Sequence, residues 1–346
     1  MKKFVIKTAL YLAPFVLAFL WFKVGVDKAL MRGDIARMSQ RQFVYSPPEP
    51  DTSLTRSLCS DYPIDSLPTD GNRYVVLGDS FSDHNERSWP NDSRWHQYLG
   101  GQMDRSIVSL RYRTFPEPMT ACLSLLIYAP EKLSDTFFVE TVERMLIVRG
   151  LDLNFDSATP LQSLIPEPPT PQPQTTKRTF HPKKLLAKLN RAAAEATEYY
   201  KKQLQIENLV LHETLDADYF SCRPNHLYFY FEDTIARSAT DIAQARRNLE
   251  ILDSIAKNKN KTMVIVAIPD KFTAYQPHTT RPTPYDNRLL NHPSPFDSLP
   301  FFINTLDTIS PLIESGIKDV YLADDTHFSA TAARAVGLFV ANKLKK

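Results

Sequence analysis

Two short stretches of this sequence hold the residue types of a serine-centred acyl transfer. The first is Val75-Val76-Leu77-Gly78-Asp79-Ser80-Phe81-Ser82, an apolar run that stops at Gly-Asp-Ser. The second is Asp324-Asp325-Thr326-His327-Phe328-Ser329, which follows the apolar Val320-Tyr321-Leu322. A hydroxyl that attacks a carbonyl must shed its proton, an imidazole must accept it, and a carboxylate must hold the imidazole in the right tautomer. Ser80, His327 and either Asp324 or Asp325 supply those groups. Gly78 would let the backbone turn tightly ahead of the serine, leaving Ser80 N–H to help bind an oxyanion. Each stretch alone has a plainer reading. Gly-Asp-Ser is a common turn, and Asp-Asp-Thr-His can open the helix suggested by residues 330–345. Because each follows a strand-like run, the two together point to one site.

Other polar residues carry secondary expectations. Asp79 is read as a brace for the turn and Ser82 as a turn hydrogen bond. His84 lies near Ser80 in sequence, but a following helix would carry it away. Glu143 and Arg144 end an apolar run; they either pair with each other or leave Arg144 to hold an anionic substrate. Lys271 ends another such run and meets either a substrate carboxylate or a salt-bridge partner.

The elements that must position these residues alternate. Strands are expected at 74–77, 106–110, 136–139, 263–268 and 318–322. Helices are expected from Trp89 to Leu99 and at 119–128, 241–257, 301–315 and 330–345, the last with Ala332, Val336, Phe339 and Val340 on one side. This alternation implies an α/β fold with a parallel sheet and helices on both faces, and both motifs then meet at the sheet's carboxyl edge. An interruption is read at about residues 151–236. It holds the proline-rich Pro166-Glu167-Pro168-Pro169-Thr170-Pro171-Gln172-Pro173, an alanine-rich helix at 183–206 and a strand at 226–231.

At 346 residues the chain has room for one large domain, and 43% hydrophobic residues suffice for its core. A formal charge of +2 with no long basic run sets nucleic acid aside. Met1-Lys2-Lys3 precedes an apolar stretch, residues 4–22, whose only charge is Lys7. That approaches the ~17–25 residues of a spanning helix. No small-x-small cleavage site follows it. Residues 1–26 are therefore expected to be an uncleaved transmembrane anchor in the cytoplasmic membrane, with 27–72 a stalk and 73–346 an extracytoplasmic domain. The three cysteines, Cys59, Cys122 and Cys222, lack metal-like spacing and leave room for one disulfide of unassigned pairing. No HxH or HExxH motif suggests a metal, and no cofactor is implied.

Gly78-Asp79-Ser80-Phe81-Ser82 resembles the first block of the SGNH (GDSL-type) hydrolase superfamily, and Asp324-Asp325-Thr326-His327-Phe328-Ser329 resembles its last. The closest flavour is the DltD/AlgX/AlgJ-like branch of envelope polysaccharide O-acetylation proteins. Phe137–Arg144 is similar to that branch's strand ending in Glu-Arg, and Ile265–Phe272 to its strand ending in Pro-x-Lys. The chain departs from the pattern in lacking a Gly-x-Asn-Asp block, and its serine precedes its Asp-x-His. The resemblance implies an SGNH-like, flavodoxin-like three-layer domain with a Ser-His-Asp triad. Ordinary SGNH spacing names Asp324 as orienter, whereas the closer local match to Asp-Thr-His names Asp325, leaving the other aspartate to cap the final helix. Gly78, Arg144 and Lys271 are the expected oxyanion or substrate contacts. The implied function is membrane-anchored acyl transfer from an acyl donor to an envelope glycan, beside a membrane-bound O-acyltransferase. Carbohydrate acetylesterase activity and a non-catalytic glycan-binding role are the alternatives.

Overall fold

The computed structural model describes residues 11–15, 17, 34–35, 73–82, 94–110, 117–153, 155, 210–285 and 289–345. In chain order its elements are β1 (Arg73–Leu77), α1 (Trp95–Met103), β2 (Ser106–Leu110), α2 (Pro118–Tyr128), β3 (Thr136–Val142), α3 (Glu143–Leu151), β4 (Val210–Thr214), β5 (His226–Tyr230), α4 (Ala239–Asn258), β6 (Thr262–Ile268), the short α5 (Lys271–Tyr275), β7 (Phe302–Asn304), α6 (Leu306–Glu314) and α7 (Ala330–Leu344).

Five strands form one sheet in the order β2-β1-β3-β6-β7, and every pairing is parallel. Successive residues of a strand point to opposite faces, yet all of β1 and Met263–Ile268 of β6 are buried. Both faces of the sheet are therefore covered. The helices supply the cover in two groups: α1, α6 and α7 pack together, as do α2, α3 and α4. Counting the strands of this sheet alone, the order is the 2-1-3-4-5 of flavodoxin-like folds. The chain leaves β1 toward one side and returns on the other at β3. The crevice at that reversal, beyond the carboxyl ends of β1 and β3, is where such sheets bind ligands.

Two expected elements differ. Residues 301–315 are not one helix: Phe302–Asn304 adds as an edge strand beside β6, and α6 starts only at Leu306. Three residues are too few to show a period of two against the helical pattern that follows. The Asn304 side chain ends the strand by accepting from Leu306 N–H at 3.1 Å. Residues 318–322 are not a sheet strand either. Val320 and Tyr321 are fully buried, but Tyr321 bridges to Phe328 in its own loop. Burial made the run apolar without any sheet partner. β3 also runs three residues past its expected end, to Val142.

The antiparallel pair β4–β5 lies within the expected insertion. The proline-rich segment, the 183–206 helix, Trp89, His84 and Cys59 lie outside the described residues. Cys122 and Cys222 are both free thiols. Residues 11–15 are helical and exposed, including Tyr11, Leu12 and Phe15. Among the described residues no helix is long and apolar enough to cross a membrane, so the anchor expected at 1–26 falls mostly outside what the structure describes.

Helices α1 and α7 pack closely against each other. A Cβ on Gly337 would lie 2.2 Å from the Trp95 carbonyl oxygen and 2.7 Å from Tyr98 Cβ. Backbone atoms cannot yield as a flexible side chain does, so the helices would have to separate. Gly337→Ala should lower stability by about 1–3 kcal/mol, read from urea unfolding; an unchanged midpoint would mean that the helices do not approach this closely.

Candidate active site

Ser80 stands on the turn after β1 and is exposed, while its neighbours Asp79, Phe81 and Ser82 are buried. The turn is held from within. Asp79 Oδ1 accepts from Phe81 N–H at 3.1 Å, and Ser82 N–H donates to the Asp79 carbonyl at 3.0 Å. Glu140, in β3, accepts through Oε2 from Asp79 N–H and from the Ser82 hydroxyl, both at 3.0 Å. Trp95 Nε1–H donates to Ser82 Oγ at 3.1 Å, and Ser109 Oγ–H to the Ser82 carbonyl at 2.9 Å. Beneath, Arg149 Nη1 contacts Asp79 Oδ2 at 2.9 Å and Thr141 Oγ1 at 2.8 Å, and its Nε pairs with Glu117.

Charge follows from this packing. Burial would raise the Asp79 carboxyl, but Arg149 and the Phe81 N–H outweigh it and the pKa is lowered. Glu140 goes the other way: burial, then the Asp79 charge, push it well above the ordinary carboxylate range. One of the two acids stays ionised against Arg149 while the other favours its neutral form.

Gly78 serves space rather than turn conformation. A Cβ there would sit 2.5 Å from Ser82 Oγ and 2.6 Å from Glu140 Oε2, and its φ lies outside the left-handed region. The expectation that Gly78 supplies a special backbone angle is thus corrected: only hydrogen fits between the turn and Glu140.

The second segment is a loop closed by the Tyr321–Phe328 bridge, with Leu322 N–H donating to the His327 carbonyl at 3.0 Å and Ser329 N–H to the Val320 carbonyl at 2.8 Å. It sets His327 against Ser80: Nε2 and Ser80 Oγ are 2.7 Å apart. On the other side of the ring, Nδ1 lies 2.5 Å from Asp325 Oδ1, which also accepts His327 N–H at 3.1 Å. The ring packs on Phe81, centroids 4.6 Å apart. Burial opposes protonation of His327, but the Asp325 carboxylate and then Asp34 prevail, so its pKa is raised; the Arg94 guanidinium works against them. Burial, together with the Asp34 charge, likewise raises the Asp325 carboxyl.

The carboxylate on the imidazole is thus Asp325. Asp324 is buried and provides the largest opposing charge on Lys271. It does not cap the final helix as one reading had it, because Ser329 occupies that N-cap. Lys271 is 1% exposed, and its Nζ donates to the carbonyls of Leu322 at 2.7 Å, Ala323 at 3.2 Å and Asp325 at 3.2 Å. Burial lowers its pKa to about 8 against the charges of Asp324, Asp34 and Asp325. Those carbonyls belong to a loop with no sheet ladder to satisfy them, and the ammonium takes that place. Glu143 and Arg144 do not pair with each other. Arg144 contacts Asp270 at 2.6 Å and Asp233 at 3.3 Å, while Glu143 accepts the N–H groups of Asp270 and Leu290, both at 3.1 Å. Gly78, Arg144 and Lys271 are therefore built into the frame around Ser80 and His327.

Sequence reasoning missed Asp34, Glu140 and Arg149. Glu140 had a signal, an acid directly after the apolar run Phe137-Phe138-Val139. Asp34 had none, since nothing in its neighbourhood marks a contact 292 positions away, with Thr326. Among the described residues, Asp34, Asp325 and His327 form the one group of three His, Cys, Asp or Glu donors close enough to share a metal ion, within 4.8 Å; these donors already bond to one another or to Thr326.

Neither the curated proteins nor the solved structures yield a match to this chain. Residues 222–346 match the family model described as SGNH hydrolase-like domain, acetyltransferase AlgX. The matched segment holds Asp233, Asp270, Lys271, Asp325 and His327; Ser80 lies outside it and reaches it through the sheet. Over residues 222–346 the chain is thus similar to the SGNH hydrolase-like domain of the acetyltransferase AlgX family.

Proposed function

We propose that this protein is a serine-type O-acyltransferase of the cell envelope, with Ser80 as nucleophile, His327 as general base and acid, and Asp325 as the orienting carboxylate. The observation that carries the reading is the continuous hydrogen-bonded chain from exposed Ser80 Oγ through His327 to Asp325, at 2.7 and 2.5 Å.

The chemistry runs in two halves. Ser80 Oγ attacks the carbonyl carbon of an acyl ester while His327 Nε2 takes the hydroxyl proton. The tetrahedral oxyanion is met by Ser80 N–H on the turn after β1. Its collapse breaks the ester C–O bond, and His327 returns the proton to the leaving alkoxide. A second hydroxyl then attacks the acyl-serine as His327 takes its proton, and Ser80 departs reprotonated. A glycan hydroxyl as acceptor makes the protein a transferase and water makes it an esterase; the family's acetyltransferase description favours the glycan. Exposed apolar side chains on the helical residues 11–15 suit a membrane tether, so the site would work outside the cytoplasmic membrane, supplied with acyl groups by a membrane-bound O-acyltransferase.

Hydrolysis of p-nitrophenyl acetate by the full chain tests this reading. Ser80→Ala and His327→Ala should each lower kcat at least about a thousandfold, with the double variant little worse, because such residues act as a unit. Two modest, additive losses would refute a shared site.

The raised His327 pKa sets the pH profile. Neutral imidazole is the base, so kcat/KM should fall with falling pH, with a midpoint above the ordinary histidine value. A midpoint at or below that value would contradict the Asp325 pairing.

A reporter fused after Lys346 should read out on the extracytoplasmic side in cells; a cytoplasmic readout would remove the envelope glycan as acceptor.

A further inference from the structure

Beyond the three residues of the proposed reaction, a fourth polar group reaches the same loop from far away in sequence. Asp34 belongs to the stretch read as a stalk, yet the adjoining Ile35 is fully buried in the hydrophobic core. Asp34 N–H donates to Asp325 Oδ2 at 3.3 Å. Its carboxylate accepts Thr326 N–H through Oδ1 at 2.8 Å and the Thr326 hydroxyl through Oδ2 at 2.5 Å. The Tyr230 phenol, at the end of β5, is close enough to the same carboxylate to help lower its pKa. We propose that Asp34 is a positioning residue, locking Asp325 and Thr326 so that His327 is aimed at Ser80. This inference rests on the serine-type reading given above.

The geometry divides the work of Asp325 between its two oxygens. Oδ1 serves the imidazole, and Oδ2 is held by Asp34 N–H, so the carboxylate cannot rotate away from the ring. Thr326, between the two functional residues, has both of its donors fixed by Asp34. Lys271 holds the carbonyls of this loop and Asp34 holds its donors, so the turn is gripped from both sides. Only a group with a carboxylate and a neighbouring backbone N–H at this spot makes all three bonds.

Asp34 also acts through charge. Burial alone would raise its carboxyl, but the His327 charge and then the hydrogen-bonding contacts with Asp325, Thr326 and Tyr230 bring it down to about 2. It is thus an anion at working pH, close enough to raise the imidazole pKa. The charged groups acting on His327 are Asp325 and Asp34, which raise its pKa, and Arg94, which lowers it. Lys271 feels Asp34 as well.

The test uses the full-length chain, p-nitrophenyl acetate and the variants Asp34→Asn, Thr326→Val and Ser80→Ala, with melting temperatures measured for each. Asp34→Asn keeps an acceptor but loses the charge. It should lower kcat roughly tenfold to a hundredfold, in the range that orienting partners command, with KM unchanged. Its acid limb should move to lower pH, because removing an anion beside an imidazole lowers the imidazole pKa. Thr326→Val removes one of the Asp34 bonds and no charge; kcat should fall while the acid limb stays in place. A purely structural role would lower the melting temperature and leave kcat and the acid limb at wild-type values, which would overturn the assignment. If Asp34→Asn does not fold, a wild-type kcat in Thr326→Val overturns it equally. Loss of turnover in Ser80→Ala shows that the serine reading stands in either case; full turnover in Ser80→Ala would overturn that reading and this inference with it.

Discussion

The contact between Ser80 Oγ and His327 Nε2 joins segments 247 positions apart, and neither segment can meet the other without the sheet. β1 delivers Ser80 to the edge where the strand order reverses. The loop ahead of α7 delivers His327 to the same edge from outside the sheet. A hydroxyl on a turn and an imidazole on a loop are mobile by default, so the rest of the architecture serves to remove that freedom. Glu140, Trp95 and Ser109 clamp the Ser82 corner of the turn, and Lys271 and Asp34 clamp the loop. Preorganisation of this kind is what gives a hydroxyl–imidazole pair its chemical use.

The clamps are charged, and charge in a protein interior is costly unless it is matched. The domain meets that cost with clusters rather than isolated pairs. Arg149 serves Asp79 and Glu117 beneath the turn, with the high-pKa Glu140 close by. Arg144 serves Asp233 and Asp270, next to Glu143, whose pKa burial and the Asp270 charge push to about 8. In each cluster the acids outnumber the guanidinium, so part of the set favours the neutral form. The consequence is a site rim fixed in shape at the expense of sensitivity: removing either arginine would strand buried carboxylates.

Much of this was legible in the sequence, because it rests on local signals. The runs Val75–Leu77, Ile107–Val108 and Met263–Ile268 are apolar at successive positions, as strands buried on both faces must be. The helices at 118–128, 239–258 and 330–344 announce themselves by length and period. The Gly-Asp-Ser and Asp-Thr-His motifs are visible because the chemistry fixes residue types at close spacing. What escaped has no local signature. β7 is three residues long, and Tyr321 is buried while its bridge is to Phe328 in its own loop, not to a sheet strand. The role of Gly78 depends on Glu140, which lies on another strand. Asp34 and Lys271 act on one loop from distant parts of the sequence, and only the folded geometry brings them together.

The central claim is that Ser80 is a nucleophile made reactive by His327. Labelling with a fluorophosphonate, read by intact mass and peptide mapping, addresses it without any assumption about donor or acceptor. The wild-type chain should gain one adduct, on Ser80, and His327→Ala should suppress it while the protein remains folded. A folded wild-type chain that takes no label, or takes it at another residue, would contradict the account.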